Sequence, residues 1–239
     1  MARDEALLES VATGGPPVLR FYAWQPATLS LGYFQAYADF QSQPPEWRCL
    51  PVVRRTTGGG AILHDAEVTY ALIVSAGDLW LRPNANRLYE LAHRAVIAAV
   101  GHDARLAGPG HARGASGAGG RGGPFLCFSR RHELDVVVPN ADPSCADGKI
   151  AGSAQRRRPG AILQHGSIIL APSVPPQPCA DWAALDGPIG FESAVMRLRS
   201  AFERGLGAAC ESSHLDPSEA ARAAALEVKY ASDEWTRRR

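Results

Sequence analysis

The chain has 239 residues, and its 25 basic and 24 acidic side chains give a formal net charge of +1. A chain of this length can bury a sizeable core without disulfides or metal ions. Its near-neutral balance gives no general attraction to nucleic acid or to an anionic membrane, so we expect neither as a partner.

The five cysteines are odd in number, and they form no C-x-x-C pair and no zinc-ligand spacing with histidine. This pattern predicts reduced thiols, no metal site and a cytoplasmic location. The first residues contain no apolar run of signal-peptide length, and no stretch approaches about 18 apolar residues. We therefore expect a soluble, unexported protein.

The N-terminal part predicts a short helix followed by strands. Residues 3–12 have a helical pattern, and 16–24 and 27–34 are β-branched and aromatic runs broken by Pro26. We expect these two runs to be adjacent strands of a sheet.

A glycine-rich turn separates the next apolar segments. Runs at 51–53, 61–63 and 68–75 predict strand, glycine turn, strand, short loop and strand. From 84 to 100 the apolar residues recur at intervals of three and four, which predicts a helix.

Residues 107–123 are nearly all Gly, Ala, Arg and Ser, and so they predict a flexible loop just before Cys127. Strand patterns return at 133–138, 148–154 and 161–170. Two helices complete the predicted elements, one from Glu192 to Leu206 and one that begins at Asp216 with the residues of a capping box.

Strands dominate the first two thirds of the chain and helices follow. The order predicts an α+β fold, a mixed and largely antiparallel sheet with flanking helices, and we expect 1–239 to form one catalytic domain.

The segment from Arg54 to Asp65 contains three consecutive glycines, Gly58, Gly59 and Gly60, after two arginines. Glycines let the backbone approach a ligand closely and point N–H groups at a carbonyl or phosphate oxygen. An acyl or acyl-phosphate site and a plain hairpin with a basic edge are both compatible with this motif alone.

Lys149 lies in a second segment, G-K-I-A-G-S-A-Q, which precedes L-Q-H-G-S at 163–167. A lysine among small residues on a strand can project into a pocket and stabilise an oxyanion or exchange a proton. Taken alone, an ordinary lysine at a strand edge is the commoner explanation.

Together the two segments resemble the lipoate ligase and octanoyltransferase family, whose fold is related to that of biotin protein ligase. Segments 1–7, 20–33 and 229–235 are also similar to parts of this family, so the resemblance spans the chain. Family members usually have a strand before the segment that matches 1–7, so we expect the true start upstream or that strand to be missing.

The resemblance implies a set of residues that bind the acyl group. These are Arg54, Gly58, Gly59, Gly60, His64, Gly152, His165 and Gly166.

Two departures count against an ATP-dependent ligase. Such ligases typically carry an asparagine shortly after the H-D pair, where this chain has Val68, and many have a further C-terminal domain, which this sequence lacks. We therefore expect no cofactor.

The most similar branch, the octanoyl-[acyl carrier protein]:protein N-octanoyltransferases, implies Cys127 of the Cys127-Phe128 pair as nucleophile and Lys149 as its partner. A free thiol with a pKa of about 8.5 is only a few per cent thiolate at neutral pH, so a nearby ammonium would activate it. Two arginines, Arg130 and Arg131, stand where small or apolar residues are expected. Cys179 is the second candidate, because another branch has its cysteine downstream of the lysine.

The resemblance implies transfer of octanoate from acyl carrier protein to a lysine of a lipoyl domain, through a cysteine thioester. Acceptors of this kind include glycine-cleavage H protein and the acyltransferase subunits of 2-oxoacid dehydrogenases. Three alternatives stay open: an ATP-dependent lipoate ligase, an amidotransferase between lipoyl domains, and a non-enzymatic module that binds carriers.

Overall fold

A six-stranded antiparallel sheet lies at the centre of the computed structural model, which describes residues 1–77, 86–109, 123–140 and 144–239. The strands in chain order are β1 (Val18–Tyr22), β2 (Thr28–Leu31), β3 (Val52–Arg54), β4 (Ile62–His64), β5 (Glu67–Ser75), β6 (Arg105–Leu106), β7 (Val136–Val138), β8 (Gly148–Arg158) and β9 (Ala161–Ile169). The helices are α1 (Ala2–Ala12), α2 (Tyr37–Gln41), α3 (Pro45–Arg48), α4 (Arg87–Val100), α5 (Ala183–Asp186), α6 (Phe191–Leu206), α7 (Pro217–Ala231) and α8 (Asp233–Thr236). Each helix within the described ranges is too short or too polar for a transmembrane span.

The large sheet has the order β1-β5-β9-β8-β7-β6, and every neighbouring pair is antiparallel. A second sheet has the order β3-β2-β4, in which β2 is parallel to β3 and antiparallel to β4. The predicted α+β class, with a largely antiparallel sheet and flanking helices, is confirmed.

The prediction that the runs at 16–24 and 27–34 are adjacent strands is wrong. β1 pairs with β5 in the large sheet, whereas β2 lies between β3 and β4 in the small one. Both runs form strands, but Pro26 interrupts the chain between them, and a local pattern does not specify the partner of a strand.

The strand expected over 133–138 begins only at Val136. Asp135 ends a turn instead, since its backbone N–H donates to the His132 carbonyl at 2.9 Å and its carboxylate accepts from the His132 N–H at 2.8 Å. This turn places the Asp135 side chain beside β8. The expected loop at 107–123 and the start of the helix at 84 fall largely outside the described residues.

Side chains alternate between the two faces of the large sheet along β5 and β9. On one face, apolar residues pack with α4 and α6; they are Val68, Tyr70, Leu72, Val74, Ile162 and Ile168. On the other face Ala71, Ile73 and Leu163 pack against α1. Further along this second face the residues become polar, with Glu67 and Thr69 on β5 and with His165 and Ser167 on β9. A single face thus changes from apolar core to polar site along the same two strands.

The capping box expected at Asp216 is confirmed. The Asp216 carboxylate accepts from the backbone N–H groups of Ser218 and Glu219, and the Glu219 carboxylate accepts from the Asp216 N–H. The helix that begins here, α7, packs against α1 and so covers the outer side of that helix.

Candidate active site

A cavity lies on the polar end of this face, between the large sheet and the glycine-rich turn that precedes β4. It encloses about 510 Å³ of empty space, open mouth included. Six of the predicted site residues line it: Gly59, His64, Cys127, Gly152, His165 and Gly166. The other four, Arg54, Gly58, Gly60 and Lys149, are not part of its wall.

Cys127 begins a short 3-10 turn that is fixed to the glycine-rich segment. Its N–H donates to the Ala61 carbonyl at 2.7 Å, and the Ala61 N–H donates to the Phe125 carbonyl at 2.8 Å. A Cβ added to Gly60 would lie 2.8 Å from the Cys127 nitrogen, closer than any real Cβ packs. Gly60 therefore contributes by letting the two segments meet, which holds the thiol at the cavity wall.

Lys149 lies behind this wall in a buried ion pair. Its ammonium is 2.9 Å from the Asp135 carboxylate, and the two side chains are 3% and 7% exposed. The same ammonium is 3.4 Å from the Cys127 carbonyl oxygen and 3.5 Å from that of Arg130. A Cβ on Gly152 would lie 2.9 Å from the ammonium, so only glycine at this position leaves the lysine its place.

Two neighbouring arginines have different roles. Arg54, predicted to bind the acyl group, is fully buried and donates to the backbone carbonyls of Gly32, Gln35 and Thr236, away from the cavity. It is Arg55 that lines the cavity. The sequence could not separate the two residues, because alternation along a strand shows which residues share a face but not which face carries the site.

The Arg55 guanidinium holds the glycine turn by donating to the carbonyls of Gly58 and Gly60, at 2.7 and 2.6 Å. Burial lowers the pKa of Arg55 to about 10, while its attraction to a Cys127 thiolate opposes that shift. The site thus has a buried guanidinium whose charge acts on the cysteine.

His64 is fixed through both ring nitrogens. Nδ1 lies 2.6 Å from the Glu67 carboxylate and Nε2 lies 2.7 Å from the Ser30 hydroxyl. The Glu67 carboxylate also accepts from the hydroxyl of Ser167, and the Trp24 ring stacks on the imidazole with 4.3 Å between the centroids. These contacts make this part of the wall rigid.

His165 lines the cavity beside α1. Its Nε2 lies 3.2 Å from the carboxylate of Asp4, which also pairs with Arg20 and accepts from the Tyr22 hydroxyl. Burial lowers the pKa of His165 even though Asp4 acts in the opposite direction.

Cys179, the second candidate nucleophile, is not part of the cavity wall. Its thiol is 3.6 Å from the Gln177 carbonyl oxygen, and burial raises its pKa to about 11, helped by the charges of Asp181 and Glu67. A thiol in this environment stays protonated at neutral pH.

Sequence reasoning missed Asp4, Arg55, Glu67 and Asp135. Glu67 and Asp135 carried a usable signal, because each is an acidic residue at the edge of a strongly apolar run, where an unpaired charge would be costly. Among the described residues, no group of three His, Cys, Asp or Glu side chains is arranged to hold a metal ion.

Comparison with known proteins gives the family. The model of the lipoyl protein ligase A/B catalytic domain matches residues 1–208. The chain belongs to this family. The family resemblance predicted from the sequence is thereby confirmed.

Several relatives within the lipoyl protein ligase A/B family carry the name octanoyltransferase LipM. The protein from Brevibacillus brevis is 32% identical over 100% of this chain and 94% of its own length. The one from Kyrpidia tusciae is 33% identical with the same coverage, and the one from Moorella thermoacetica is 38% identical over 71% of this chain and 60% of its own.

Solved structures of lipoate ligases have the same fold. A bipartite lipoate protein ligase from Thermoplasma acidophilum has a TM-score of 0.73 at 22% identity and covers 99% of this chain and 89% of its own. A lipoate-protein ligase A bound with ATP has a TM-score of 0.74 at 21% identity, over 99% and 92%.

Proposed function

We propose that this enzyme transfers an octanoyl group from acyl carrier protein to a lysine of a lipoyl domain, through a thioester on Cys127. The observation that carries the proposal is the meeting of Cys127 with the buried Lys149–Asp135 pair at the edge of one cavity. The two relatives named octanoyltransferase LipM from Brevibacillus brevis and Kyrpidia tusciae, which align over 94% of their own length, support octanoate as the group transferred. We further propose that the chain acts as one catalytic domain.

In the first half-reaction the Cys127 thiolate attacks the carbonyl carbon of the donor thioester. The new C–S bond forms, the old one breaks, and the carrier thiolate takes up the proton that Cys127 has lost. The ammonium of Lys149 and the guanidinium of Arg55 are both buried near Cys127, so their positive charges are weakly screened where negative charge develops. Lys149 is ion-paired with Asp135, so its role here is to stabilise negative charge.

The second half-reaction releases the group to an amine. The acceptor lysine attacks the thioester carbonyl, an amide bond forms, and Cys127 leaves as a thiolate. In both steps we assign stabilisation of the oxyanion to backbone groups around Gly59, which lines the cavity, and to the buried charge of Lys149 behind the cavity wall. Donors fixed in advance are effective because they need no rearrangement as charge develops.

The acyl chain is assigned to the cavity. Trp24, Ile62 and Phe128 give it apolar walls, and His64, Gly152, His165 and Gly166 also line it. The apolar part of this wall suits an unbranched hydrocarbon chain.

The position that holds an asparagine in adenylating ligases supports an ATP-independent reaction. Here it is Val68, which is fully buried in the apolar core that faces α4 and α6. This side chain offers nothing to a nucleotide, and the proposed reaction uses a thioester as its activated donor, without a cofactor.

A cationic surface beside the glycine turn supports a carrier protein as the partner. The guanidinium carbons of Arg156, Arg238 and Arg239 lie 5.3, 4.1 and 5.5 Å from the ring centroid of Tyr33. The Tyr33 N–H in turn donates to the carbonyl of Thr57, which lines the cavity. We assign this arginine cluster to the docking of acidic carriers, such as acyl carrier protein, H protein or the acyltransferase subunits of 2-oxoacid dehydrogenases.

One assay distinguishes the proposal from its alternatives. The enzyme is mixed with an apo lipoyl domain and with octanoyl acyl carrier protein, octanoylated lipoyl domain, or octanoate plus ATP. Transfer from the first donor without ATP, with ping-pong kinetics, is expected. Transfer only from the octanoylated lipoyl domain would identify an amidotransferase. A requirement for ATP would identify a ligase, and carrier binding without transfer would identify a non-enzymatic module.

A further inference from the structure

One ring nitrogen of His165 has no hydrogen-bond partner although the side chain is 8% exposed. Nε2 lies 3.2 Å from Asp4, and because a carboxylate only accepts, Nε2 carries the hydrogen. Nδ1 is then the unpartnered atom and carries a lone pair. A buried polar group without a partner is destabilising, so its presence in a cavity wall calls for a function.

Asp4 is held as the ionised carboxylate, which fixes the His165 tautomer with hydrogen on Nε2. Burial alone would raise the pKa of Asp4, but His165 and Arg20, which both contact its carboxylate, act in the opposite direction and the pKa lies well below its usual range. The Tyr22 hydroxyl donates to the same carboxylate. The dyad therefore has the charge and geometry that orient a histidine as a base in other enzymes.

Two other candidate bases in or behind the cavity wall, His64 and Lys149, lack a free site for a proton. Both nitrogens of His64 are engaged, by Glu67 and by Ser30. Lys149 is paired with Asp135 and faces backbone carbonyls. Of the two histidines that line the cavity, His165 has the unpartnered nitrogen.

We infer that His165 is the general base of the second half-reaction and that Asp4 is its positioning residue; the inference rests on the proposed function. The neutral amine of the acceptor lysine forms a C–N bond with the thioester carbon of octanoyl-Cys127. Its excess proton passes to His165 Nδ1, the C–S bond breaks, and Cys127 leaves as a thiolate. The imidazolium, stabilised by Asp4, then returns its proton to the thiolate or to water.

The charges that face His165 suit this role. Burial is the largest influence on its pKa and lowers it, Asp4 raises it, and Arg55 lowers it. The imidazole is consequently neutral at neutral pH and able to accept a proton.

The experiment separates the two half-reactions. Full-length wild type, His165→Gln, Asp4→Asn and, as a matched control, the exposed His214→Gln are acylated with S-octanoyl-N-acetylcysteamine and followed by intact mass. Each isolated octanoyl-enzyme is then mixed with apo lipoyl domain in a single turnover from pH 5 to pH 9. Thermal unfolding of each variant verifies folding.

We expect His165→Gln to slow transfer about 100-fold or more, the range for loss of a general base, and to slow transfer by a much larger factor than acylation. In wild type, the transfer rate should rise with pH as His165 loses its proton, and this rise should be absent in His165→Gln. Imidazole added to a further variant, His165→Ala, should accelerate its transfer. Asp4→Asn favours the other tautomer of His165. It should therefore also slow transfer by a larger factor than acylation. His214→Gln should match wild type.

The inference would be overturned if His165→Gln transferred at the wild-type rate. It would also be overturned if both half-reactions slowed equally, with an unchanged pH profile and no rescue by imidazole. If Asp4→Asn does not fold, His165→Gln and the imidazole rescue decide. Failure of the proposed function has a different signature, since wild type itself would then never gain an octanoyl group on Cys127.

Discussion

The Lys149 ammonium and the Asp135 carboxylate form a buried pair, 2.9 Å apart, directly behind Cys127. Removing one member of such a pair leaves a buried charge uncompensated, at a cost of about 3–5 kcal/mol. We expect Asp135→Asn to lose stability of this order, measured by urea unfolding, and about 100-fold in acylation rate, because Lys149 loses its position.

A double variant separates stability from chemistry in this pair. Asp135→Leu with Lys149→Met replaces both charges by apolar groups and should recover much of the stability while remaining inactive. Full activity in Asp135→Asn, or in the double variant, would contradict the role assigned to the lysine.

Gly152 gives Lys149 its room, since an added Cβ would lie 2.7 Å from the lysine Cε. Gly152→Ala is expected to displace the ammonium and lower the acylation rate about 100-fold, measured as single-turnover gain of octanoyl mass. The control is Gly205→Ala on α6, where the nearest atom would be 3.9 Å away. That change should keep activity and stabilise the protein by about 0.5–1 kcal/mol. Equal activity in both variants would refute the steric argument.

The arginine cluster around Tyr33 should act on carrier binding. We expect Arg238→Glu with Arg239→Glu to raise KM for octanoyl acyl carrier protein at least about tenfold at low salt, and to leave turnover of S-octanoyl-N-acetylcysteamine unchanged. The effect should shrink as salt rises, because exposed charges are screened. Arg94→Glu with Arg204→Glu, at exposed positions on α4 and α6, serves as the charge-matched control. An equal change in KM for that variant would point to net charge instead of a docking surface.

Stability should fall on acidification because of His93. Burial lowers the pKa of His93 to about 4, below that of an unfolded histidine, so the unfolded chain binds more protons between about pH 4 and pH 6.5. The free energy of unfolding should therefore fall as pH drops, by about 2 kcal/mol from pH 7 to pH 5. His165, whose pKa is also lowered, adds a change of the same sign. Urea unfolding of His93→Gln should have a flatter pH dependence; an unchanged slope would exclude His93 as its source.

Much of the fold followed from local patterns. Periodicity located α4 and α6, and the Asp216 capping box located the start of α7, because these signals depend on neighbouring residues. The separation of β1 and β2 into different sheets did not follow, since strand partners are set by contacts between residues distant in sequence.

The site was predictable where chemistry and motif coincide. Cys127, Gly152 and His165 were identified from the sequence and lie on one cavity. Arg55 and Asp135 were not identified, because their roles depend on which face of a strand or turn meets the cavity. Arg54 was predicted to contact the ligand from its position in the motif. Its guanidinium instead donates to buried backbone carbonyls, which the sequence pattern did not indicate.

The central claim is the thioester on Cys127, and peptide mapping after exposure to octanoyl acyl carrier protein alone tests it most directly. We predict one octanoyl group on the Cys127 peptide of wild type and of Cys179→Ala, none on Cys127→Ala, and release when apo lipoyl domain is added. An octanoyl group on Cys179, or full transfer by Cys127→Ala, would contradict the account.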